Sequence, residues 1–275
     1  MAVTNGWGQG AVNNTIDWGK GEDNATNSWG KVYDASSSGD TNITGSGGTP
    51  AFANTKSIEL DGVDDSVDCG NDSSLQITGA MTISAWVKTT SNGATKAIVG
   101  KDSVGKASKR SYLFFMSSAG NSVGIGIYKS GTFTFTKGTT AVNTGDWFHV
   151  MGVNTGTDLK IYINGVLENT NSGGGGTIDN GSDILQLGRR NGSNVAQRAF
   201  WNGKIDEVAI WNSDQSANIS TIYNSGAPSD LSSLSPVSWW RCGDGDTSPS
   251  LTDNGSADNT GAMMNFTTFS TDVPS

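Results

Sequence analysis

Histidine, cysteine and proline are scarce: one His, two Cys and five Pro in 275 residues. The lone His149 cannot build a zinc site by itself, and no His/Cys cluster has zinc-ligand spacing. Cys69 and Cys242 stand far apart in the chain and read as unpaired thiols, buried in neighbouring strands. Met1 to Gly6 carries neither a basic nor an apolar stretch, so no signal peptide is read there and synthesis in a cytoplasm is expected. No apolar run approaches the ~18 residues that span a bilayer, which argues against membrane insertion. Positive charge is sparse as well. With 17 Lys and Arg against 26 Asp and Glu, the net charge is −9. Nucleic acid, whose binding needs basic surface to displace counterions, is excluded as a partner, and anionic membrane surfaces are disfavoured for the same reason.

Charged residues make up 16% of the chain, and good helix formers are few. A helical bundle, a coiled coil and a helical repeat array are thereby excluded. What is abundant is Gly (38 residues) with Ser, Thr and Asn, the vocabulary of short strands and tight turns. Nine Trp, nine Phe and five Tyr supply anchors for a core, so disorder is excluded too.

The first 50 residues differ from the rest. Trp7, Trp18 and Trp29 are spaced by eleven, and each is followed by Gly. Three tryptophans cannot enclose a core, so this arm is expected to dock its rings on the main domain, a sister subunit or a larger assembly. A flexible polar leader is the competing reading. A Ser/Gly/Thr-rich linker, 36–49, closes the arm, and residues 51–275 form the second domain.

That domain reads as a series of strands. Met81-Thr82-Ile83-Ser84-Ala85-Trp86-Val87-Lys88 alternates, with Met81, Ile83, Ala85 and Val87 on one face. Leu159 to Ile163 runs into Asn164-Gly165, a pair suited to the positive φ angles of a type I′ hairpin turn. Ile219, Ile222 and Tyr223 mark a short helix, expected to plug one end of a β-sandwich. Ile83, Ala85, Val87, Ile161, Ile163, Val208 and Ile210 are expected in the core.

Five motifs in order, Ser57 to Asp65, Met81 to Lys88, Trp147-Phe148-His149-Val150, Ile161 to Gly165 and Gly203 to Trp211, resemble the laminin-G-like branch of the concanavalin A-like jelly rolls. The resemblance covers roughly residues 57–226 and implies an all-β, antiparallel two-sheet jelly-roll sandwich. It implies no single activity, because the fold hosts lectins, pentraxins, glycosidases and inert spacers. One element is displaced. The Trp-bearing strand that usually opens such domains comes last here, as Ser238-Trp239-Trp240-Arg241-Cys242, and is expected to complete the sandwich from the C-terminal end. The Trp-Gly arm joined to such a domain also resembles structural proteins of marine tailed phages. That likeness implies assembly in a host cytoplasm, exposure after lysis, and other virion proteins or sister subunits as partners in a homo-oligomer.

Catalysis finds little support. The jelly-roll glucanases carry Glu-x-Asp-x-x-Glu along one strand, and no such string occurs. Asp206 and Glu207, adjacent in a strand, are expected on opposite faces, and His149 is read as structural. Laminin-G-like and pentraxin relatives hold calcium at a sandwich rim, which implies Asp61, Asp64 and Asp65 as candidate ligands; no cofactor is required. Aspartates in a turn equally bond their own backbone. For a host surface polysaccharide, the candidate site is the densest cationic stretch, Arg189, Arg190, Asn191 and Asn194, with Trp201 as the aromatic. A solvated loop or a contact between subunits is the competing reading. The expected function is a non-enzymatic virion structural protein, a capsid decoration or a tail or fibre component. The alternative is a secreted or surface carbohydrate-active enzyme or adhesion module.

Overall fold

Short alternating runs punctuated by turn residues become strands in the computed structural model, which describes residues 52–275. In chain order these are β1 (Ser57–Asp61), β2 (Ser66–Asp68), β3 (Met81–Lys88), β4 (Lys96–Asp102), β5 (Arg110–Met116), β6 (Val123–Lys129), β7 (Thr132–Lys137) and β8 (Trp147–Asn154). They continue as β9 (Leu159–Ile163), β10 (Val166–Asn171), β11 (Gln186–Leu187), β12 (Asn202–Trp211), β13 (Ser238–Trp240), β14 (Ser250–Leu251), β15 (Gly261–Met264) and β16 (Phe269–Ser270). Two short helices, α1 (Val195–Arg198) and α2 (Ile219–Tyr223), interrupt the series. The arm, with Trp7, Trp18 and Trp29, lies outside the described residues.

The strands form two antiparallel sheets. One runs β10-β9-β8-β3-β12-β1-β16 with β13 also paired to β12, and the other runs β14-β15-β2-β11-β4-β5-β6-β7. The β9–β10 connection is the expected hairpin, with Asn164 at φ 48° and Gly165 at φ 78°. The alternation in β3 sends Ile83, Ala85 and Val87 into the core between the sheets. They meet Ile161, Ile163, Val208 and Ile210 there, all buried as expected, and Val150 joins them. Fully burying such side chains stabilises by about 1.5–3 kcal/mol each, so this layer dominates the fold.

The C-terminal segment does complete the sandwich. Trp239 and Trp240 lie in β13, paired with Ala209 and Val208, in the same sheet as Leu60 and Trp86. Cys242 falls beyond the end of that strand, at φ 52°. Both cysteines are buried and unpaired, but they follow β13 and β2, strands of opposite sheets rather than neighbours.

The outer face of the first sheet is apolar too. Met151, Val153, Tyr162, Ala209, Trp211 and Trp239 need cover, and Ile222 of α2 and Leu231 supply it. The short helix therefore lies across this face instead of plugging one end. Tyr223 stacks 6.1 Å from Trp86 and sits 5.6 Å from His149. Sealed beneath it, His149 bonds Ser84 Oγ through Nε2 at 2.8 Å, and burial pushes its pKa down to about 3.

Candidate functional site

The loop after β11 is held against β4 by close backbone contact. A Cβ on Gly100 would come 2.6 Å from the Arg189 carbonyl oxygen, so Gly is what lets the loop settle there. Asn191 N–H then donates to Asp102 O at 2.9 Å, and Val104 N–H donates to Asn191 O at 3.1 Å. Asn194 is the N-cap of α1, its Oδ1 accepting Gln197 N–H at 3.0 Å.

The cationic side chains of this loop are engaged internally. Arg190 donates through Nε to Gln197 O at 2.9 Å and places Nη1 3.4 Å from the Asp102 carboxylate. Arg110 Nε lies 3.0 Å from the other Asp102 oxygen. Burial pushes the Asp102 carboxyl above its ordinary range, and these two guanidinium groups pull it back only in part. Arg189 donates to Asn191 Oδ1 at 2.8 Å, with its guanidinium 5.6 Å from the Phe200 ring. Trp201 is the clearest correction: it is fully buried in the core between the sheets and cannot stack on a sugar. An indole preceding a core strand gains more by burial than by exposure.

A polar cleft opens where this loop meets the turn between β4 and β5. Its volume is ≈ 260 Å³, lined by Ser103, Val104, Lys106, Lys109, Asp183, Asn191, Gly192 and Ser193. Of the five residues expected from sequence, Asn191 alone lines it. Lys106 and Lys109 escaped notice because a Ser/Gly turn carries no periodic pattern to weigh them by. Asp183 is the cleft's single carboxylate, whereas glycoside hydrolysis of the usual kind needs a pair flanking the scissile bond.

A second missed feature is aromatic. On the outer face of the second sheet, Phe133 and Phe135 stack with centroids 5.7 Å apart, and Phe135 is exposed. The strand alternation of β7 carries this signal, hidden in the run Thr132 to Lys137.

Asp61, Asp64 and Asp65 do come together, with one carboxylate oxygen of each within 4.8 Å of the others. Much of their acceptor capacity is already used by the chain itself. Asp61 Oδ1 accepts Val63 N–H at 2.7 Å and Asp64 N–H at 3.3 Å, and Asp65 Oδ2 accepts Asp61 N–H at 3.0 Å. Burial tends to raise the Asp61 carboxyl, but these backbone donors outweigh it and hold the group below its ordinary range. Burial raises Asp65, and the charges of Asp61 and Asp64 add to it. One oxygen from each of the three carboxylates falls short of the six to eight that calcium takes, so carbonyls and water would have to supply the rest.

The expectation for Asp206 and Glu207 fails. A bulge between β12 and β3 sets Glu207 at φ 47° and turns both acids to the outer side of the sheet. Asn54 donates to Asp206 Oδ2 at 3.0 Å, while Trp239 and Arg241 bond Glu207. Both acids are buried beneath this cover, away from any open cleft.

An antiparallel two-sheet jelly roll with a rim cleft built from loops defines the class. The chain belongs to the Laminin_G_3 family of the concanavalin A-like lectin/glucanases superfamily, whose pattern matches residues 61–218. Among solved structures it is similar to a presumed carbohydrate-binding protein from Bacteroides ovatus, with a TM-score of 0.60 and 18% identity. That likeness covers 81% of this chain and 62% of the other, so the chain spans less than two thirds of that protein. The SAP-like pentraxin of Limulus polyphemus is similar at a TM-score of 0.47 and 15% identity, over 62% of this chain and 82% of the pentraxin. The CBM40 of the Ruminococcus gnavus IT-sialidase, bound to alpha2,6 sialyllactose, gives 0.47 and 18%, over 60% of this chain and 95% of the module. No curated protein matches the chain.

Proposed function

We propose that residues 51–275 are a non-enzymatic, lectin-like module that binds a surface polysaccharide in the rim cleft. The observation that carries this reading is the cleft itself, where Asn191, Ser193, Lys106 and Lys109 present donors and acceptors around one cavity. Sugars are recognised by such fixed polar groups in a concave site. The Bacteroides ovatus protein, presumed to bind carbohydrate, shares the fold, which agrees with the reading without carrying it.

The module belongs, in this reading, to a virion structural protein, a capsid decoration or tail or fibre component exposed after lysis. Residues 1–50 attach it to other virion proteins or to sister subunits. Support comes from the Trp-Gly spacing and from the resemblance to marine phage structural proteins. The test is titration of the full chain with bacterial and algal surface polysaccharides, followed by reducing-end assay. Binding that weakens at least about tenfold in Asn191→Ala or Lys106→Ala, with an unchanged melting temperature, supports the proposal. Binding indifferent to both variants, or sugar turnover, overturns it.

A further inference from the structure

The rim cleft is small for a polymer. At ≈ 260 Å³ it falls below the roughly 300–1,000 Å³ of pockets that enclose a drug-sized ligand. A polysaccharide seated there must continue over neighbouring surface, and the cleft leads onto the outer face of the second sheet. Arg110 follows the lining residue Lys109 and donates through Nε to the carbonyl of Ser103, another lining residue, at 3.1 Å. Its guanidinium lies 4.4 Å over the Tyr128 ring. Tyr128 meets Phe133 at 4.9 Å between centroids, and Phe133 meets Phe135 at 5.7 Å. Contacts therefore join the cleft to the two rings of β7 without a break.

Those rings form a supported platform. Phe133 and Phe135 stack with 19° between their planes, and the buried Phe115 braces both, its centroid 6.3 and 6.1 Å away. A Cβ on Gly126 would run into the tip of the Phe133 ring, so glycine is what lets that ring lie down on β6. Phe135 is 46% exposed. The negative face of such a ring attracts the weakly positive C–H face of a sugar. Two features argue against a protein on this surface. β7 is the edge of its sheet, but Asn171 donates to the carbonyl of Phe135 at 3.0 Å and Asn169 to that of Lys137 at 3.1 Å, so these acceptors are closed to an added strand. Two rings, at roughly 150–250 Å² each, also fall well short of the about 800 Å² that each partner buries in a stable protein interface.

The cleft end of this track is cationic. Lys106 is exposed and Lys109 half-buried there, while Arg110 and Arg190 share the one carboxylate of Asp102. With Asp183 included, four cations face two carboxylates, in a chain whose net charge is −9. A local excess of that sign draws an anionic ligand. We propose that the rim cleft and the Phe133–Phe135 platform form one extended site for an acidic polysaccharide. Its anionic groups lie at Lys106 and Lys109, and a sugar ring farther along the same chain stacks on Phe135. The inference rests on the lectin reading above and names the ligand class for that site.

Calorimetric titration of the full chain tests the site, with alginate as the carboxylated probe, carrageenan as the sulfated one and agarose as the neutral one, each in fragments of graded length. Long charged fragments should bind at least about tenfold more tightly than the corresponding disaccharide. Phe135→Ala should remove that gain, leave disaccharide binding unchanged and keep the melting temperature, since the ring is exposed. Phe135→Trp should restore the gain. Agarose should bind at least about tenfold more weakly than the better charged polymer, and which of the two binds better tells carboxylate from sulfate. Long fragments that bind the wild type and Phe135→Ala alike overturn the extended site. Agarose bound as tightly as the charged polymers overturns the acidic ligand. The lectin reading survives either result, whereas no binding by any of the three polymers overturns both.

Discussion

Trp239 donates its indole N–H to Glu207 Oε2 at 2.6 Å, and so satisfies an acid that the β12 bulge has turned into an apolar layer. Burial raises the Glu207 carboxyl to about 7 although Arg241 pulls it down, and burial also raises Asp206, with the Glu207 charge adding to it. A carboxyl raised on folding binds protons that the unfolded chain has released. Its stabilisation is complete below the ordinary carboxylate range and is lost as pH rises through about 7. His149, held neutral down to about 3, adds the opposite slope below 6.5, so the variant supplies the reference. Glu207→Gln should gain on the wild type by on the order of 2 kcal/mol between pH 5 and pH 8 in urea melts. Parallel curves across that range would contradict the buried titration.

Asp61 holds the turn at Gly62 through its bonds to Val63 and Asp64. Asp61→Ala should cost about 1 kcal/mol, lowering the melting temperature by roughly 2–4 °C. The loss should be the same in EDTA and in millimolar calcium if the turn bonds are what matters. Calcium-dependent stabilisation of the wild type that vanishes in Asp61→Ala would show a held ion instead.

The parts of this fold that could be read in advance are those where one residue type answers a local need. Asn164-Gly165 takes positive φ cheaply, and the alternation of β3 states which side chains face inward. The bulge at Glu207 left no mark, because nothing in the sequence announces a glutamate at φ 47°. Alternation counted across it therefore put Asp206 and Glu207 on opposite faces. Trp201 was misplaced for another reason: an indole beside Arg and Asn looks alike whether it caps a loop or enters the core.

The arm makes a separable prediction. Phe52 stacks on Trp239 at 6.1 Å, and Arg241 lies 4.2 Å over the Phe52 ring, so the described unit carries its own seal at that end. Removing residues 1–50 should leave the melting temperature unchanged and abolish assembly, read by sedimentation. Single changes at Trp7, Trp18 or Trp29 should each cost about 2–4 kcal/mol of assembly. A collapsed melting temperature with assembly intact would assign the arm to the core.

Residues 236–275 should be indispensable for folding. They add β13 to β12, β16 to β1, and β14 and β15 beside β2, so both sheets depend on them. Trp240 is fully buried and donates its indole N–H to Asn259 O at 2.8 Å. Asn259 in turn donates to Ser238 Oγ at 2.8 Å, which closes the segment on itself. Losing that ring leaves a cavity as well as an unpaired carbonyl, and Trp240→Ala should cost about 3–5 kcal/mol. Chains truncated at residue 235 should be insoluble or molten, because Val208, Ile210 and Val67 would lose the partners that exclude water from the core. A soluble 1–235 fragment that melts cooperatively at the wild-type temperature would mean the sandwich closes without its last strands.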